Sequence, residues 1–365
     1  MLTFLHGADF HLDSPFRSLS PDQAAERRQE QRQLLTRLAH TAKETQAQLI
    51  FLAGDLFDSQ RVRPETLELL HDTLEAVEAQ VFIAPGNHDP YTAASPYARL
   101  PWPSHVHIFS SPYPERVELP HLGAVVYGSA FLSPHRVDSP LLDLQTADEG
   151  LVTFGCFHGD TSTPFSRYGP ITQEEIARSG LDYLALGHHH TASGIRTAGP
   201  TYYAWPGCPE GRGFDETGEK GIYIGQTDGL RCELEFLPLA HRRYCQVDLD
   251  ITGQSPDQAL RAFIPRANHQ DILRISLTGE RQEDQPPDLT ALTALAAPHF
   301  YSVQLRDETV LPQALWARKN EDTLTGLFLG RMAQKIEEAS PEERPFLERA
   351  VRFGLAALEG REEPK

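Results

Sequence analysis

The chain has 365 residues, of which 40% are hydrophobic and 23% are charged. A chain of this length and apolarity can bury one large core and one or two smaller units, which excludes a mainly disordered protein. Proline recurs throughout and glycine has no period, which excludes long coiled coils and collagen. The formal net charge of −18 is the opposite of the basic surface that non-specific nucleic-acid binders show. Phosphate substrates remain open, because bound metal ions can supply a local positive field.

The sequence carries no sign of a membrane span or of export. No stretch approaches the ~20 apolar residues that a membrane helix needs, and the first residues lack the basic region of a signal peptide. The four cysteines include no C-x-x-C pair, which argues against a disulfide framework or a cysteine zinc site. We therefore expect a cytoplasmic protein without a membrane partner.

Residues 1–240 alternate between short apolar runs and longer amphipathic segments. The first part predicts strand, helix, strand, helix and strand in turn, at residues 2–5, 22–46, 48–53, 64–79 and 81–84. This order is typical of a parallel sheet with right-handed crossovers. Further on, helices are few and strands are predicted at 124–128, 152–157, 183–186, 221–225 and 232–238. We expect an α/β fold in which two mixed β-sheets pack together and are flanked by helices.

The pattern changes after residue 243. Strands are predicted at 245–251, 272–278 and 301–305, with helices at 256–267 and 287–297 between them. We assign this β-α-β-α-β unit to a small α/β domain at 244–310, which follows a main domain at 1–240. Residues 311–365 predict a tail of amphipathic helices, with apolar positions that include Leu324, Leu327, Met332, Phe346 and Val351. We expect this tail to have little core of its own.

Two short motifs follow the first two predicted strands. The first is Asp9-Phe10-His11, in which residues i and i+2 of an extended segment point to the same side. The second begins at Gly54, which permits a tight turn, and places Asp55 at the carboxyl end of the sheet, where ligands of α/β folds gather. Asp58, three residues later, is expected to orient a ligand without binding metal itself.

The third motif, Pro85-Gly86-Asn87-His88-Asp89, follows the third strand. The amide oxygen of Asn87 suits a hard cation. His88 can act as an acid or a ligand, and Asp89 is expected to fix the tautomer of its ring.

Histidines end two of the later strands. His158 follows the strand at 152–157, and Gly187-His188-His189-His190 follows the strand at 183–186. His188 and His190 share one side of an extended segment, whereas His189 points away and is expected to have no role in the site.

Together these strand ends supply two carboxylates, one amide and four imidazoles, from Asp9, Asp55, Asn87, His11, His158, His188 and His190. Such a mixed oxygen and nitrogen set suits two divalent ions, with Mn²⁺ expected first and Fe²⁺ or Zn²⁺ as alternatives. One carboxylate is expected to bridge the ions, about 3.5–4 Å apart, as in two-metal phosphoryl-transfer sites.

The ordered set resembles the calcineurin-like metallophosphoesterase family, whose pattern D-x-H, G-D-x-x-D, G-N-H-[DE], H and G-H-x-H is matched between residues 9 and 190. The resemblance implies that Asp55 bridges the two ions and that His88 lies at the scissile phosphate. It also implies two ligand sets, one of Asp9, His11, Asp55 and His190, the other of Asp55, Asn87, His158 and His188.

Within that family the chain most resembles the bacterial SbcD/YhaO-type DNA repair exonucleases. The resemblance lies in FLHGADFHLD at 4–13, LAGDLFD at 52–58 and YAWPGCPEGRGFDETGEKG at 203–221. It implies a DNA substrate, a capping domain that shapes DNA access, and a tail that docks on an SMC-like, SbcC-type ATPase.

The expected reaction is in-line attack on phosphorus by a metal-bridging hydroxide, with His88, oriented by Asp89, donating a proton to the leaving oxygen. Arg212 and Lys220 are candidate phosphate contacts, although turn-region charges are often only solvated. The alternatives are a phosphoesterase acting on nucleotides, phosphoproteins or lipid precursors, and a non-catalytic scaffold for the ATPase. The complete ligand set argues against the scaffold, and the sequence leaves cleavage polarity and homodimer formation open.

Overall fold

A computed structural model describes residues 1–148, 150–281, 286–340 and 342–360. The chain divides into two compact units, Met1–Arg243 and Tyr244–Lys365. Residues 361–365 of the predicted tail lie outside the described residues. None of the helices within these described ranges is long and apolar enough to cross a membrane.

The first unit is built from two six-stranded sheets and four helices, counted over its described residues. The strands of the first sheet are β1 (Leu2–Gly7), β2 (Leu49–Leu52), β3 (Gln80–Ile83), β4 (Val106–Ile108), β11 (Gly221–Thr227) and β12 (Cys232–Pro238). The strands of the second sheet are β5 (Glu115–Leu119), β6 (Ala124–Gly128), β7 (Val152–His158), β8 (Tyr183–Gly187), β9 (Arg196–Ala198) and β10 (Thr201–Ala204). The helices are α1 (Pro21–Glu44), α2 (Pro64–Ala76), α3 (Pro96–Arg99) and α4 (Gln173–Ser179).

Both sheets are mixed, with antiparallel pairing at one edge of the first sheet and at both edges of the second. The first has the order β12-β11-β1-β2-β3-β4, in which β1 to β4 run parallel. The second has the order β5-β6-β7-β8-β10-β9, in which β6, β7, β8 and β10 run parallel. This arrangement confirms the predicted fold class.

Alternation along the strands divides the side chains between two cores. Phe4 of β1 packs toward the second sheet, where its ring centroid lies 5.6 Å from that of Phe154 and 4.6 Å from that of Tyr183. The next residue, Leu5, joins the core that also contains Leu34 and Leu70 of helices α1 and α2. Period-2 alternation therefore places the first sheet between a helical layer and the second sheet.

Several boundaries and short elements differ from the prediction. Helix α2 ends at Ala76 because Val77 is extended, and it therefore does not reach residue 79. Helix α4, which was not predicted, begins with a capping box between Thr172 and Glu175 and ends at Gly180 with φ +73°. The sequence signal for α4, Thr-x-x-Glu before a short apolar pattern, was present but brief.

The loop after β1 is attached to helix α1 by a buried amide. Ser20 caps α1 through a capping box, with Pro21 in the first turn. Gln31, fully buried on α1, donates hydrogen bonds to the carbonyl oxygens of Phe10 and His11 at 2.9 and 2.8 Å. This amide satisfies two buried carbonyls in the segment that carries the first motif.

The second unit contains the predicted β-α-β-α-β order. Strands β13 (Tyr244–Asp250), β14 (Ile272–Thr278) and β15 (Ser302–Asp307) form a parallel sheet, with helices α5 (Pro256–Phe263) and α6 (Leu289–Ala296) between them. Their core includes Leu260, Ile275 and Leu292. The same unit continues into helices α7 (Gln313–Ala317), α8 (Leu324–Glu338) and α9 (Arg344–Leu358). The predicted division at residue 310 stays a prediction.

The helical tail has a small core, contrary to the expectation from its sequence. Leu329 and Met332 of α8 are buried against Val351 and Leu355 of α9, because two amphipathic helices in contact cover part of each other's apolar stripe. Other apolar positions remain outside this core: Leu324 is 75% exposed and Leu327 66% exposed.

We expect Gln31→Leu to destabilise the first unit, because it removes the side-chain donor to the buried carbonyl oxygen of Phe10 and one of the donors to that of His11, which Ser14 also contacts. Each buried unsatisfied group costs about 1–3 kcal/mol. Thermal unfolding should show a clear fall in Tm, while the control Gln33→Leu, at an exposed position of the same helix, should unfold near the wild-type temperature. Equal Tm values for the two variants would contradict the role assigned to Gln31.

Candidate metal centre

The sequence motifs meet at one edge of the two sheets, where β1, β2, β3, β7 and β8 end. The segment after β1 runs beside the segment after β2: Asp9 N–H donates to Gly54 O, and His11 N–H donates to Asp55 O, both at 2.9 Å. Asp9, His11 and Asp55 all have positive φ, between 45° and 53°. Backbone held in this sparsely populated region is typical of functional sites, where surrounding contacts over-determine the conformation.

Two glycines allow the segments to approach closely. A β-carbon on Gly54, whose φ is +92°, would lie 2.2 Å from His158 Nδ1. A β-carbon on Gly86 would lie 2.2 Å from Asp55 Oδ1. Neither position has room for a larger residue, and the glycines of the second and third motifs are therefore needed for packing around Asp55.

The first donor group contains Asp9, His11, Asp55 and His190. The Nε2 atoms of His11 and His190 are 3.3 Å apart. His190 Nε2 is 3.7 Å from Asp9 Oδ1, and His11 Nε2 is 3.8 Å from Asp55 Oδ2. Ligand atoms of Asp9, His11 and His190 all lie within 4.8 Å of one another, which is close enough for one ion.

The second donor group contains Asp55, Asn87, His158 and His188. His158 Nε2 lies 3.0 Å from Asn87 Oδ1 and 3.6 Å from Asp55 Oδ2. His188 Nδ1 lies 3.3 Å from the same Asn87 oxygen. All seven predicted metal ligands are therefore brought together, and Asp55 belongs to both groups.

The protonation of the imidazoles fits cations at these positions. His158 Nδ1 lies 2.9 Å from the carbonyl oxygen of Ala53, which can only accept, so in a neutral ring the proton is on Nδ1 and the Nε2 lone pair faces Asp55. His190 Nδ1 is 2.7 Å from Glu216 Oε1, a closer contact than that with Arg212 at 3.1 Å, which likewise assigns its proton to Nδ1. Lone pairs directed at carboxylates and at each other are favourable only with a cation between them.

The outer ring nitrogens of three ligands face carboxylates. His11 Nδ1 is 3.5 Å from Asp58 Oδ1, which is within ion-pair distance but lacks hydrogen-bond geometry, and the orienting role of Asp58 stays a prediction. His190 faces Glu216, and His188 Nε2 is 4.0 Å from Asp160 Oδ2. Such partners fix the ring and raise the basicity of the ligating nitrogen. Glu216 and Asp160 were not predicted; Glu216 lies in the 203–221 segment that carries the resemblance, but no spacing rule connects it to His190.

Local charges oppose the effect of burial on two carboxyl groups. Burial raises the pKa of Asp55, but His158 and His11 nearby lower it below its usual value. Burial likewise raises the pKa of Glu216, and contacts with His190 and Arg212 more than offset this and hold the pKa well below its usual value. Both groups are therefore carboxylates at neutral pH.

The structure corrects the role predicted for Asp89. Its two oxygens accept hydrogen bonds from Gly86 N at 2.8 Å, Phe57 N at 3.0 Å and the Tyr97 hydroxyl at 2.6 Å. The exposed His88 ring instead places Nδ1 3.1 Å from the backbone oxygen of Asp58. Asp89 therefore joins the second and third motifs, and Asp58 orients His88.

The two predicted substrate contacts differ. Arg212 lies beside the candidate metal centre, with its Nη1 3.3 Å from Asp58 Oδ1. Lys220 is only 4% exposed and donates to the His190 carbonyl at 2.8 Å, so it supports the His190 segment and does not present its charge to a substrate.

His189, expected to point away, lies against Trp205 with ring centroids 4.9 Å apart. His6 is fully buried, with contacts to the Tyr183 hydroxyl and the Leu186 oxygen.

Residues 2–196, more than half of the chain, match the family model of the calcineurin-like phosphoesterases. The chain therefore belongs to this family. The family and the donor clusters together define a metal-dependent phosphoesterase that uses divalent ions.

Three curated relatives of the SbcD/Mre11-type branch are similar to this chain, in agreement with the resemblance seen in the sequence. It is 31% identical over 246 residues to the uncharacterized metallophosphoesterase YhaO of Bacillus subtilis, a match that covers 64% of this chain and 60% of YhaO. It is 24% identical to the DNA double-strand break repair protein Mre11 of Methanopyrus kandleri, covering 72% and 62% of the two chains. It is 26% identical to SbcD of the nuclease SbcCD of Bacillus subtilis, covering 60% and 64%. The chain thus matches less than two thirds of the length of each relative.

We expect Asp55→Ala to lose metal, thermal stability and activity together, because the side chain belongs to both donor groups. Bound metal stabilises the native state by mass action, and its loss removes that contribution. Metal content by mass spectrometry and Tm with and without Mn²⁺ test this. The control Asp138→Ala, at an exposed position, should keep both properties. An Asp55→Ala protein that retains two ions per chain would show that Asp55 is not shared.

Proposed function

We propose that this chain is a two-metal phosphodiesterase that cleaves DNA as a repair nuclease. The observation that carries the proposal is the buried carboxylate of Asp55, shared by two groups of donors at the ends of parallel strands. The names of two relatives, a DNA double-strand break repair protein and a component of a nuclease, support DNA as the substrate.

In this proposal each donor group holds one divalent ion, Mn²⁺ in the first instance and Fe²⁺ or Zn²⁺ as alternatives. One ion would be held by Asp9, His11, Asp55 and His190, the other by Asp55, Asn87, His158 and His188. Bound ions lower the pKa of an attacking water and neutralise charge on the phosphate oxygens.

His88 is proposed to donate a proton to the leaving oxygen. Its Nδ1 faces the carbonyl oxygen of Asp58, which can only accept, so Nδ1 carries a proton in either charge state of the ring. In the protonated ring Nε2 carries the second proton, and this is the proton that the proposal transfers to the leaving oxygen. The side chain is exposed, and its ring centroid is 4.7 Å from that of His11, which places it beside the donor groups and open to a substrate.

The test is hydrolysis in Mn²⁺ of end-labelled single- and double-stranded DNA, beside a small phosphodiester and a small phosphomonoester. We expect DNA cleavage, with His88→Leu losing roughly 10²–10⁴-fold in rate, the range for a positioned acid. His88→Leu should keep near-normal metal content, because His88 belongs to neither proposed ligand set.

The matched control is His121→Leu, which replaces an exposed histidine; it should cleave DNA at the wild-type rate. Hydrolysis of monoesters alone would contradict the nuclease proposal and favour a phosphatase of the same fold. Loss of metal in His88→Leu would make His88 a ligand and contradict its role as an acid.

We further propose that residues 244–310 cap the site and limit DNA access, and that helices α8 and α9 bind an SMC-like, SbcC-type ATPase. The support for the ATPase is the relative SbcD, which is named as one component of the SbcCD nuclease. Exposed apolar side chains on the two helices, among them Leu327 at 66% and Phe346 at 71%, provide a surface for such a contact.

We expect Leu327→Glu combined with Phe346→Glu to abolish co-purification with that ATPase, because two charges would be placed in an apolar contact. Hydrolysis of a small phosphodiester should be unchanged. Arg331→Glu, at an exposed polar position of α8, is the control for added negative charge and should leave co-purification intact. Retention of the partner by the double variant would place the docking site elsewhere.

A further inference from the structure

We infer that Arg212 and Glu216 are positioning residues that set the affinity of one of the two ions, the ion that His11 and His190 would hold. We call the pair the Arg212–Glu216 clamp. The inference rests on the proposed two-ion site and adds to it the residues that distinguish one ion from the other.

The clamp contacts the outer nitrogen of His190 directly and is connected to the side of His11 through Asp58. Glu216 Oε1 lies 2.7 Å from His190 Nδ1. The Arg212 Nε lies 3.2 Å from each Glu216 oxygen, and its Nη1 lies 3.3 Å from Asp58 Oδ1. That Asp58 oxygen is 3.5 Å from His11 Nδ1. One guanidinium therefore connects the two carboxylates that face the outer nitrogens of His11 and His190.

The clamp is held in place before any ion binds. The Glu216 side chain is 5% exposed and that of Arg212 is 18% exposed. The backbone N–H of Arg212 also donates to Glu216 Oε2 at 2.8 Å, which closes a turn around the carboxylate. Lys220, four residues beyond Glu216, donates to the backbone oxygen of His190. Both the ring and the backbone of His190 are therefore positioned by residues 212–220.

The arrangement has a simple electrostatic logic. Two carboxylates beside neutral imidazoles increase the electron density on the ligating nitrogens and fix the ring orientations. The buried carboxylate of Glu216 and the partly exposed one of Asp58 would repel each other without a cation, and Arg212 supplies the compensating charge while its planar guanidinium fixes their directions.

The other donor group uses different partners. The outer nitrogen of His158 faces the Ala53 carbonyl oxygen, and that of His188 is nearest Asp160. Within the part of the chain that the structure describes, the hydrogen bonds and ion pairs of these two rings go to residues other than Arg212 and Glu216. A change in the clamp should therefore affect one ion and spare the other.

The test is titration of the metal-free full chain with Mn²⁺ by calorimetry, for wild type, Glu216→Gln and Arg212→Lys. Wild type should bind two ions. Glu216→Gln, which is nearly isosteric, should weaken one site by about 10–100-fold, the range for outer-shell partners of metal-bound histidine, and leave the other within about twofold. Arg212→Lys keeps the charge but cannot bridge two carboxylates in one plane, and should weaken the same site. Glu216→Asp should recover part of the lost affinity.

Glu219→Gln is the matched control, since Glu219 lies in the same turn and is exposed; it should titrate as wild type. Wild-type binding of fewer than two ions would contradict the proposed two-ion site itself. The inference is overturned if wild type binds two ions and Glu216→Gln binds both with wild-type affinity. It is also overturned if Glu216→Gln weakens both sites to the same extent, because the clamp then does not act on one ion. Should Glu216→Gln not fold, the same outcomes apply to Arg212→Lys.

Discussion

Two groups of metal donors can share one carboxylate only if several chain segments pack tightly around it. Asp55 is about 1% exposed, and one of its oxygens accepts a hydrogen bond from His88 N at 2.8 Å. The other oxygen lies 3.6 Å from His158 Nε2 and 3.8 Å from His11 Nε2. The absence of a side chain at Gly86 provides the necessary space. Any shift of Asp55 would disturb both donor groups, so the segments around it are held by other buried contacts.

Those contacts come from both sheets. Asp89 connects the turn at Gly86 to the backbone of Phe57, and Gln31 holds the segment that carries His11. The aromatic core between the sheets, where the rings of Phe4 and Phe154 meet, brings the ends of β7 and β8 to the ends of β1 to β3. Stability and ligand geometry therefore depend on the same packing, and metal content should fall with core stability.

Because the chain is strongly acidic, the proposed metal ions have a second role, which is to attract the phosphate of the substrate. With a net charge of −18, the protein offers little general attraction for a polyanion. The centre itself adds the carboxylates of Asp9 and Asp55, and the cation of Arg212 is already paired with Glu216 and Asp58. In the proposed function, phosphate binding at this edge therefore depends on divalent ions, and any wider DNA surface depends on a partner.

The sequence alone determined the longer strands, the two-sheet architecture and the set of motif residues, because alternation and strand-end motifs are local patterns, but it missed the short strands β4, β5, β9 and β10. Pairings between distant segments could not be read in this way. Arg212 meets Asp58 across 154 positions, Glu216 meets His190, and Asp89 bonds to Phe57 instead of orienting His88. The small core of the tail has the same origin, since an amphipathic stripe does not specify what will cover it. Local periodicity fixes which face of an element is apolar. Only the packing of the whole chain decides which charged group contacts the outer nitrogen of each histidine ligand.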